Sequence, residues 1–219
     1  MKRIGLFGGS FDPVHLGHLL VAQAACEELA LDRLFFIPAA QSPFKPASEP
    51  TPANLRLRML RLALAGKTHY EIDPQETERG GISFSIDTVR DYARRFPQAE
   101  LFYLIGADHA PTLPKWRDAE ELARLVEFVV IARPGEVPAD LGTQNPERRG
   151  PSCANAPDAP RRMDSCAPSS AFRVRALVGW PLQLSSSQIR ARVKAGQPID
   201  DLVPPAVNEM ILLEGLYRI

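Results

Sequence analysis

Two histidines three residues apart stand at the start of a predicted helix, directly after a glycine turn. The apolar run at residues 4–7 predicts a short buried strand, and the glycines and the Asp-Pro pair that follow predict a turn. From Val14 onward the apolar spacing is helical, so His15 and His18 share one face of the first turn. A helix N-terminus offers unpaired N–H groups and positive potential, to which two imidazoles add donors. The pattern predicts an anion site, with phosphate as the favoured ligand.

Two other roles are open to this histidine pair. A histidine at a helix start often caps the helix or lies at the surface, and a pair at this spacing could supply half of a metal site. Neither role explains the glycines at positions 8, 9 and 17 or the Asp-Pro turn. We therefore favour phosphate binding.

Two stretches far from the histidines could also contact phosphate. Lys45 follows the second predicted strand in a proline-flanked loop, where it is either an exposed linker residue or is held towards an anion. A late helix opens with serines at 185–187 and carries Arg190 on its first turn. One serine suffices as an N-cap. Three hydroxyls and an arginine exceed that need, and they predict a second anion site suited to the β- and γ-phosphates of a nucleotide.

A ring-binding site is indicated between residues 83 and 116. Gly106 ends an apolar strand, so a flat ring could approach its backbone closely. Asp108 could accept hydrogen bonds from ribose hydroxyls, as acidic residues do in dinucleotide folds. Trp116 either packs in a small core or stacks on a ligand. Ser83 or Ser85 can cap the next helix, which is the ordinary role for either serine, and the N–H groups of that helix then face whatever binds beside it.

The elements that must position these residues alternate between strand and helix. Strands are predicted over residues 4–7, 33–38, 70–73, 100–105, 128–132 and 172–178, and helices over 16–30, 54–65, 85–95, 120–124, 186–196 and 204–214. This alternation predicts an α/β fold, a Rossmann-like doubly wound parallel sheet with helices on both faces and ligands at the carboxyl ends of its strands. Residues 76–88, where they precede the helix, and 107–116 are expected to be loops. Of the arginines on the second helix, only Arg56 is expected to matter beyond the surface.

Composition narrows the class of protein. The chain has 219 residues with 26 basic and 26 acidic side chains, a balance that argues against nucleic acid or a membrane surface as the partner. We find no apolar run that could span a bilayer and no signal peptide, and three cysteines without a Cys-x-x-Cys fit a reducing cytoplasm and no structural zinc. We expect a single cytoplasmic domain over 1–219, a monomer or homo-oligomer. Its Pro-rich excursion loop at about 136–170, with Cys153 and Cys166, is given no chemistry.

Several motifs resemble one enzyme family. The run Gly-Ser-Phe-Asp-Pro-x-His-x-Gly-His at 9–18 resembles the signature of the nucleotidyltransferase superfamily with a His-x-Gly-His motif. Ile-Gly-Ala-Asp at 105–108, Leu-Pro-Lys-Trp at 113–116 and Ser-Ser-Ser-x-Ile-Arg at 185–190 extend the resemblance to bacterial nicotinate-nucleotide adenylyltransferases. Ser-Phe-Ser at 83–85 replaces the family's Ser-Tyr-Thr, and Met210 stands where the family has a tyrosine.

The resemblance implies that the chain joins ATP to nicotinate mononucleotide, releasing pyrophosphate. Implied catalytic residues are His15, His18, Lys45 and Arg190. The implied ATP site consists of Gly8, Gly9, Ser10, Phe11, His15, His18, Gly106, Asp108, Ser186, Ser187 and Arg190. The implied mononucleotide site consists of Lys45, Ser83, Ser85 and Trp116. Mg²⁺ would be held mainly by substrate phosphates and water, with Asp12 as an outer-shell partner and no dedicated protein metal site.

Two alternatives remain open at this point. A sister enzyme such as pantetheine-phosphate adenylyltransferase would share the histidine motif, but such chains are usually shorter and lack the Gly-Ala-Asp and Trp pairing. A non-catalytic nucleotide sensor on the same scaffold would be expected to lose His18 or Arg190, and this chain has both. An assay for pyrophosphate release distinguishes the three.

Overall fold

A six-stranded parallel sheet forms the centre of the computed structural model, which describes residues 1–43, 49–131, 172–177 and 184–218. The strands are β1 (Arg3–Gly9), β2 (Arg33–Pro38), β3 (Tyr70–Ile72), β4 (Glu100–Gly106), β5 (Glu127–Ile131) and β6 (Val174–Leu177). Their order is β3-β2-β1-β4-β5-β6, and every neighbouring pair is parallel. The order reverses between β1 and β4, which is where a doubly wound sheet opens a crevice for ligands.

Helices cover both faces of the sheet. They are α1 (Leu16–Glu28), α2 (Ala53–Leu64), α3 (Gln75–Arg79), α4 (Ser85–Arg95), α5 (Ala119–Leu125), α6 (Ser186–Lys194) and α7 (Pro205–Leu213). One buried cluster joins the sheet to α1, α2, α6 and α7, and a second joins it to α4 and α5. Alternate residues of a strand point to opposite faces of the sheet and therefore belong to different clusters. On β2, Leu34 and Phe36 belong to the first cluster, and Phe35 and Ile37 belong to the second. The four central strands, β2, β1, β4 and β5, are apolar after their first residue because both of their faces are buried, whereas the edge strands β3 and β6 each contain a charged residue.

The predicted Rossmann-like α/β fold is confirmed, with three local corrections. Helix α1 ends at Glu28 rather than at residue 30, because Ala30 has a φ of +47° and leaves the helical conformation. The predicted loop at 76–88 begins with the five-residue helix α3, which has no apolar period and is buried instead through the polar Glu76. The predicted loop at 107–116 is largely a 3₁₀ helix, Ala107–Lys115, which tolerates two internal prolines.

Two predictions from the sequence are not tested by the described residues. The excursion at 136–170, with Cys153 and Cys166, lies outside the described residues. The interpretation of 1–219 as one domain remains a prediction. Within the described ranges, no helix is long and apolar enough to cross a membrane.

Candidate active site

Two cavities meet at the point where the strand order reverses. The first, of about 470 Å³, is lined by both histidines, by the start of α6 and by Tyr217. The second, of about 310 Å³, is lined by the glycines that end β1 and by residues near the start of α4 and the 3₁₀ helix. Phe7, Ser10 and Gly106 line both cavities, so the two are adjacent at the ends of β1 and β4. The arrangement provides two neighbouring compartments at one sheet edge.

The histidine pair caps the helix that carries it. The Nδ1 atom of His15 accepts from the His18 N–H at 3.3 Å, and Nδ1 of His18 accepts from the His15 N–H at 3.2 Å. The two rings stack with their centroids 3.6 Å apart. Gly17 makes room for this arrangement, because a Cβ atom there would lie 3.0 Å from Nδ1 of His15. The two Nδ1 atoms therefore cap the helix, as the capping alternative states. The Nε2 atoms take no part in this cap.

Both imidazoles are neutral donors. Since each Nδ1 accepts a hydrogen bond, each neutral ring carries its proton on Nε2. Burial lowers the pKa of His15 to about 4. Burial, and then the charge of His15, lowers the pKa of His18 well below its ordinary value. At neutral pH the first cavity thus presents two Nε2–H groups without a positive charge on either ring.

Helix α6 places a second set of donors in the first cavity. Ser185 is its N-cap, in a reciprocal capping box with Gln188. The Ser186 hydroxyl donates to the carbonyl of Pro13 at 2.9 Å, which ties α6 to the loop after β1. Arg190 donates to the Asp12 carbonyl at 2.7 Å and to the Ser187 hydroxyl at 3.3 Å.

The three serines at the start of α6 therefore have different roles. Ser185, rather than Ser186 or Ser187, caps the helix, as the spare serine in the sequence allows. The N–H groups of Ser186 and Ser187 have no carbonyl partner within the helix, so they remain as anion donors beside the Arg190 guanidinium.

A buried polar cluster lies beneath this cavity. Arg56 is 1% exposed and donates to the carbonyls of Thr51, Ser10 and Ala39, each at 2.8 Å. The guanidinium thereby joins the loops after β1 and β2 to the start of α2. Burial lowers the pKa of Arg56, while the charge of Asp12 opposes that shift.

Asp12 is the acidic member of this cluster. Its carboxylate accepts from the Thr51 N–H at 3.1 Å and from the Tyr217 hydroxyl at 2.7 Å. Sequence reasoning singled out Arg56 and Asp12, but it missed Thr51 and Tyr217. No local pattern marks those two, because their partner lies 39 and 205 residues away.

The second cavity contains the predicted mononucleotide residues Ser83, Ser85 and Trp116, but neither serine takes the capping role open to it. Helix α4 has Phe84 at its N-cap and no side-chain cap bond. Ser83 instead accepts from the Ala40 N–H at 2.9 Å, and the Ser85 hydroxyl hydrogen-bonds that of Tyr103 at 2.9 Å. Because no side chain caps α4, its first N–H groups remain as donors at this end of the cavity.

Glu76 is one of the residues lining this cavity that sequence reasoning overlooked. It is buried, and the hydroxyls of Thr88 and Ser83 hydrogen-bond its carboxyl group. Burial raises its pKa, and those hydrogen bonds oppose the rise. It opens the run Glu-Thr-Glu-Arg at 76–79, but nothing in the sequence showed that α3 turns it inward.

The remaining predicted residues are distributed between the two cavities. Ser10 lines both, Phe11 lines the first, and Gly8 and Gly9 line the second, where a Cβ atom on Gly8 would lie 2.7 Å from the Tyr103 hydroxyl. Asp108 lines the second cavity with Trp116, rather than the cavity that holds the histidines. Lys45 lies outside the described residues.

No protein metal cluster is formed by the described part of the chain. There, no three His, Cys, Asp or Glu side chains converge as metal ligands. Asp12 and Glu49 are the acidic side chains that line the first cavity.

Comparison with known proteins places these features in one family. The cytidylyltransferase-like family model matches residues 6–192. A probable nicotinate-nucleotide adenylyltransferase of Gemmatimonas aurantiaca is 44% identical over 216 residues, covering 99% of this chain and 92% of that protein. One of Opitutus terrae is 38% identical, covering 99% and 98%.

The fold is shared with solved structures of much lower sequence identity. Plasmodium falciparum nicotinic acid mononucleotide adenylyltransferase, solved as complexes with NaAD and with APC, superposes with a TM-score of 0.69 at 15% identity, covering 99% of this chain and 98% of that one. With its histidine motif, its serine–arginine helix and its paired cavities, the chain belongs to the nicotinate-nucleotide adenylyltransferase family of cytidylyltransferase-like proteins.

Proposed function

We propose that this protein transfers the adenylyl group of ATP to nicotinate mononucleotide, yielding nicotinate adenine dinucleotide and pyrophosphate. The observation that carries the proposal is the pair of adjacent cavities, one rich in anion donors and the other containing Trp116 and the uncapped start of α4. Such a pair can hold two substrates whose phosphates meet at the shared wall. The family membership supports the same reaction.

The reaction requires alignment and charge stabilisation more than proton transfer. A phosphate oxygen of the mononucleotide attacks the α-phosphorus of ATP, and the bond from that phosphorus to the bridging oxygen of pyrophosphate breaks. The nucleophile is already anionic, so no general base is needed. Two polyanions must instead be held in line while negative charge moves to the leaving group.

The first cavity would hold the ATP phosphates. The Nε2–H groups of His15 and His18 would donate to the triphosphate, and the N–H groups of Ser186 and Ser187 with the Arg190 guanidinium would receive the β- and γ-phosphates. Neutral imidazoles fixed by their Nδ1 bonds keep this geometry without reorganising during the reaction. Lys45, from the proline-flanked loop, would offset the charge where the substrates meet.

Glycines and backbone carry the rest of the ATP site in this proposal. Gly8, Gly9, Ser10 and Phe11 would form its wall at the end of β1, and Gly106 would admit the adenine ring close to β4. Asp108 would accept from a ribose hydroxyl, and its place beside Trp116 puts that ribose near the shared wall.

The residues present fit a magnesium ion carried by the substrate. Without a cluster of ligands among the described residues, the ion would be bound by phosphates and water, as is common for Mg²⁺. Asp12 lines the cavity, and each of its oxygens keeps acceptor capacity for an outer-shell water. The ion would neutralise charge on the leaving pyrophosphate.

The second cavity favours a nicotinate over a nicotinamide ring. Trp116 would stack on the pyridine, with Ser83 and Ser85 beside it. The N–H groups at the start of α4 suit a carboxylate, whereas a carboxamide would turn its own N–H donors towards them. Asp87, the acidic residue nearest to Ser85 in the sequence, is not part of this cavity and pairs with Arg90. Of the acidic residues that do line the cavity, Glu76 has its carboxyl group hydrogen-bonded by the hydroxyls of Thr88 and Ser83.

Pyrophosphate release tests the function. The purified protein is mixed with ATP, Mg²⁺ and one acceptor: nicotinate mononucleotide, nicotinamide mononucleotide or pantetheine phosphate. We expect kcat/KM to be highest for nicotinate mononucleotide, by about 100-fold over its amide if two donor mismatches of ~1–3 kcal/mol arise. Binding of ATP without release from any acceptor would identify a nucleotide sensor, and a preference for pantetheine phosphate would identify the sister activity.

A further inference from the structure

We propose that Tyr217, two residues before the end of the chain, is a positioning residue for ATP: it holds Asp12, and through Asp12 it holds Arg190. The proposal rests on the function proposed above. Tyr217 lines the first cavity, and its hydroxyl lies 2.7 Å from Oδ1 of Asp12, 205 residues earlier in the sequence.

Asp12 connects three separate parts of the chain. Its side chain accepts from Tyr217 and from the N–H of Thr51 at the start of α2, and its main-chain carbonyl accepts from Arg190 of α6. Because the Arg190 guanidinium bonds the Asp12 carbonyl, contacts that fix the Asp12 side chain also restrain the position of that guanidinium. Tyr217 and Thr51 supply the two bonds that do so.

The backbone conformation after α7 brings the Tyr217 side chain to Asp12. Helix α7 ends in a Schellman arrangement: Gly215 has a φ of +64°, its N–H donates to Leu212, and the N–H of Leu216 donates to Ile211. Tyr217 then has a φ of +64° as well, a backbone conformation that residues other than glycine rarely adopt. A disfavoured backbone conformation persists when the surrounding contacts require it, and it is a recurrent feature of functional sites.

The protonation of Tyr217 suits a donor. Burial and the neighbouring charge of Asp12 raise the pKa of its phenol above the ordinary value. The hydroxyl therefore keeps its proton and donates to the carboxylate, while the Thr51 side chain hydrogen-bonds the same hydroxyl.

Tyr217→Phe removes the hydroxyl and keeps the ring. Since Arg190 lies in the first cavity, we expect kcat/KM for ATP to fall by roughly 10- to 100-fold, the scale of one lost hydrogen bond to a charged group. The KM for the mononucleotide, which binds in the second cavity, should stay within about 2-fold. ATP affinity measured by calorimetry without any acceptor should weaken in parallel.

Tyr92→Phe is the matched control. Tyr92 also donates to a carboxylate, that of Asp73 at 2.6 Å, but it lies on the buried face of α4 and lines neither cavity. We expect this variant to lose stability and to keep kcat/KM for ATP within about 2-fold. Equal effects of the two variants on kcat/KM would show that Tyr217 is merely structural and would overturn the proposal.

A double-mutant cycle with Arg190→Lys tests the route. If Tyr217 acts through Arg190, Tyr217→Phe should change ATP affinity much less in the Arg190→Lys background than in the wild type. If the losses of ATP affinity in the two single variants add fully in the double variant, the route through Arg190 is refuted. Because ATP affinity needs no acceptor, this result stands even if the wild-type protein fails to use nicotinate mononucleotide, which would overturn only the proposed function.

Discussion

Acid should destabilise this protein through the buried histidine pair. Burial lowers the pKa of His15 from its ordinary value of 6.5 to about 4 in the folded protein. Between these values the unfolded chain binds a proton that the folded chain does not, so stability is complete above pH 6.5 and declines as the pH falls towards 4. The lowered pKa of His18 acts in the same direction.

The shift of His15 sets the size of the effect. A displacement from 6.5 to about 4 lowers the free energy of unfolding by about 2 kcal/mol at pH 5 and by about 3 kcal/mol at pH 4, relative to pH 8. His18 should add to this, and the two rings titrate as a pair because they are stacked. We therefore expect the pair to contribute at least about 2 kcal/mol of acid destabilisation at pH 5.

A double variant isolates this contribution. In His15→Asn/His18→Gln, asparagine is a favoured N-cap, and glutamine can reach back to the cap N–H as Gln188 does on α6. The capping box is thus kept while both titrating rings are removed. Urea unfolding at pH 8 and pH 5, at equal ionic strength, gives the free energies.

The loss between pH 8 and pH 5 should be smaller in the double variant by at least about 2 kcal/mol. His69→Gln, which removes an exposed ring, is the control and should follow the wild type. Parallel wild-type and double-variant profiles would refute the reasoning, because they would show that burial of the pair leaves its proton affinity unchanged.

Three further outcomes are expected. His18→Ala should fold yet lower kcat by roughly 10²–10³, the scale of one preorganised donor, and near-wild-type turnover in a folded variant would contradict its role. Arg56→Lys should lower the free energy of unfolding by ~2–4 kcal/mol in urea titration, because an ammonium cannot reach all three carbonyls; a loss below ~0.5 kcal/mol would contradict this. Asp73→Asn should lose ~1–3 kcal/mol by the same measurement with kcat unchanged, since Asp73 bonds Tyr92 and Arg95 away from the cavities; an unchanged midpoint would count against it.

Local pattern in the sequence determined the elements and the motif positions. The apolar run at 33–38 predicted β2 to the residue, and the spacing over 85–95 predicted α4 to the residue. These segments are defined by neighbours a few positions apart, which is the range over which strand and helix periodicity acts. The alternation of strands and helices was likewise enough to predict a parallel sheet with its ligand crevice at the strand ends.

The reciprocal histidine cap lay within reach of the sequence, yet it was only one of several alternatives. His15 and His18 occupy the two positions of a capping box, but the residue types that usually mark such a box are serine, threonine, glutamate and glutamine. Ser185 and Gln188, which do match that pattern, cap α6 in the same way. The capping box of α1 has the usual spacing, but its residue types are unusual, and for that reason the sequence did not single it out.

Only the tertiary structure decided how the site is held together. The three bonds of Arg56, the contact of Ser83 with Ala40 and the contact of Tyr217 with Asp12 join residues from 5 to 205 positions apart, and each of them ends on a loop residue. A polar side chain is buried only where partners from several segments satisfy it, and those partners are brought together by packing of the apolar core. The sequence therefore names the groups that can bind phosphate, whereas the assembled sheet and helices determine which of their protons point into the cavity and which are used to hold it.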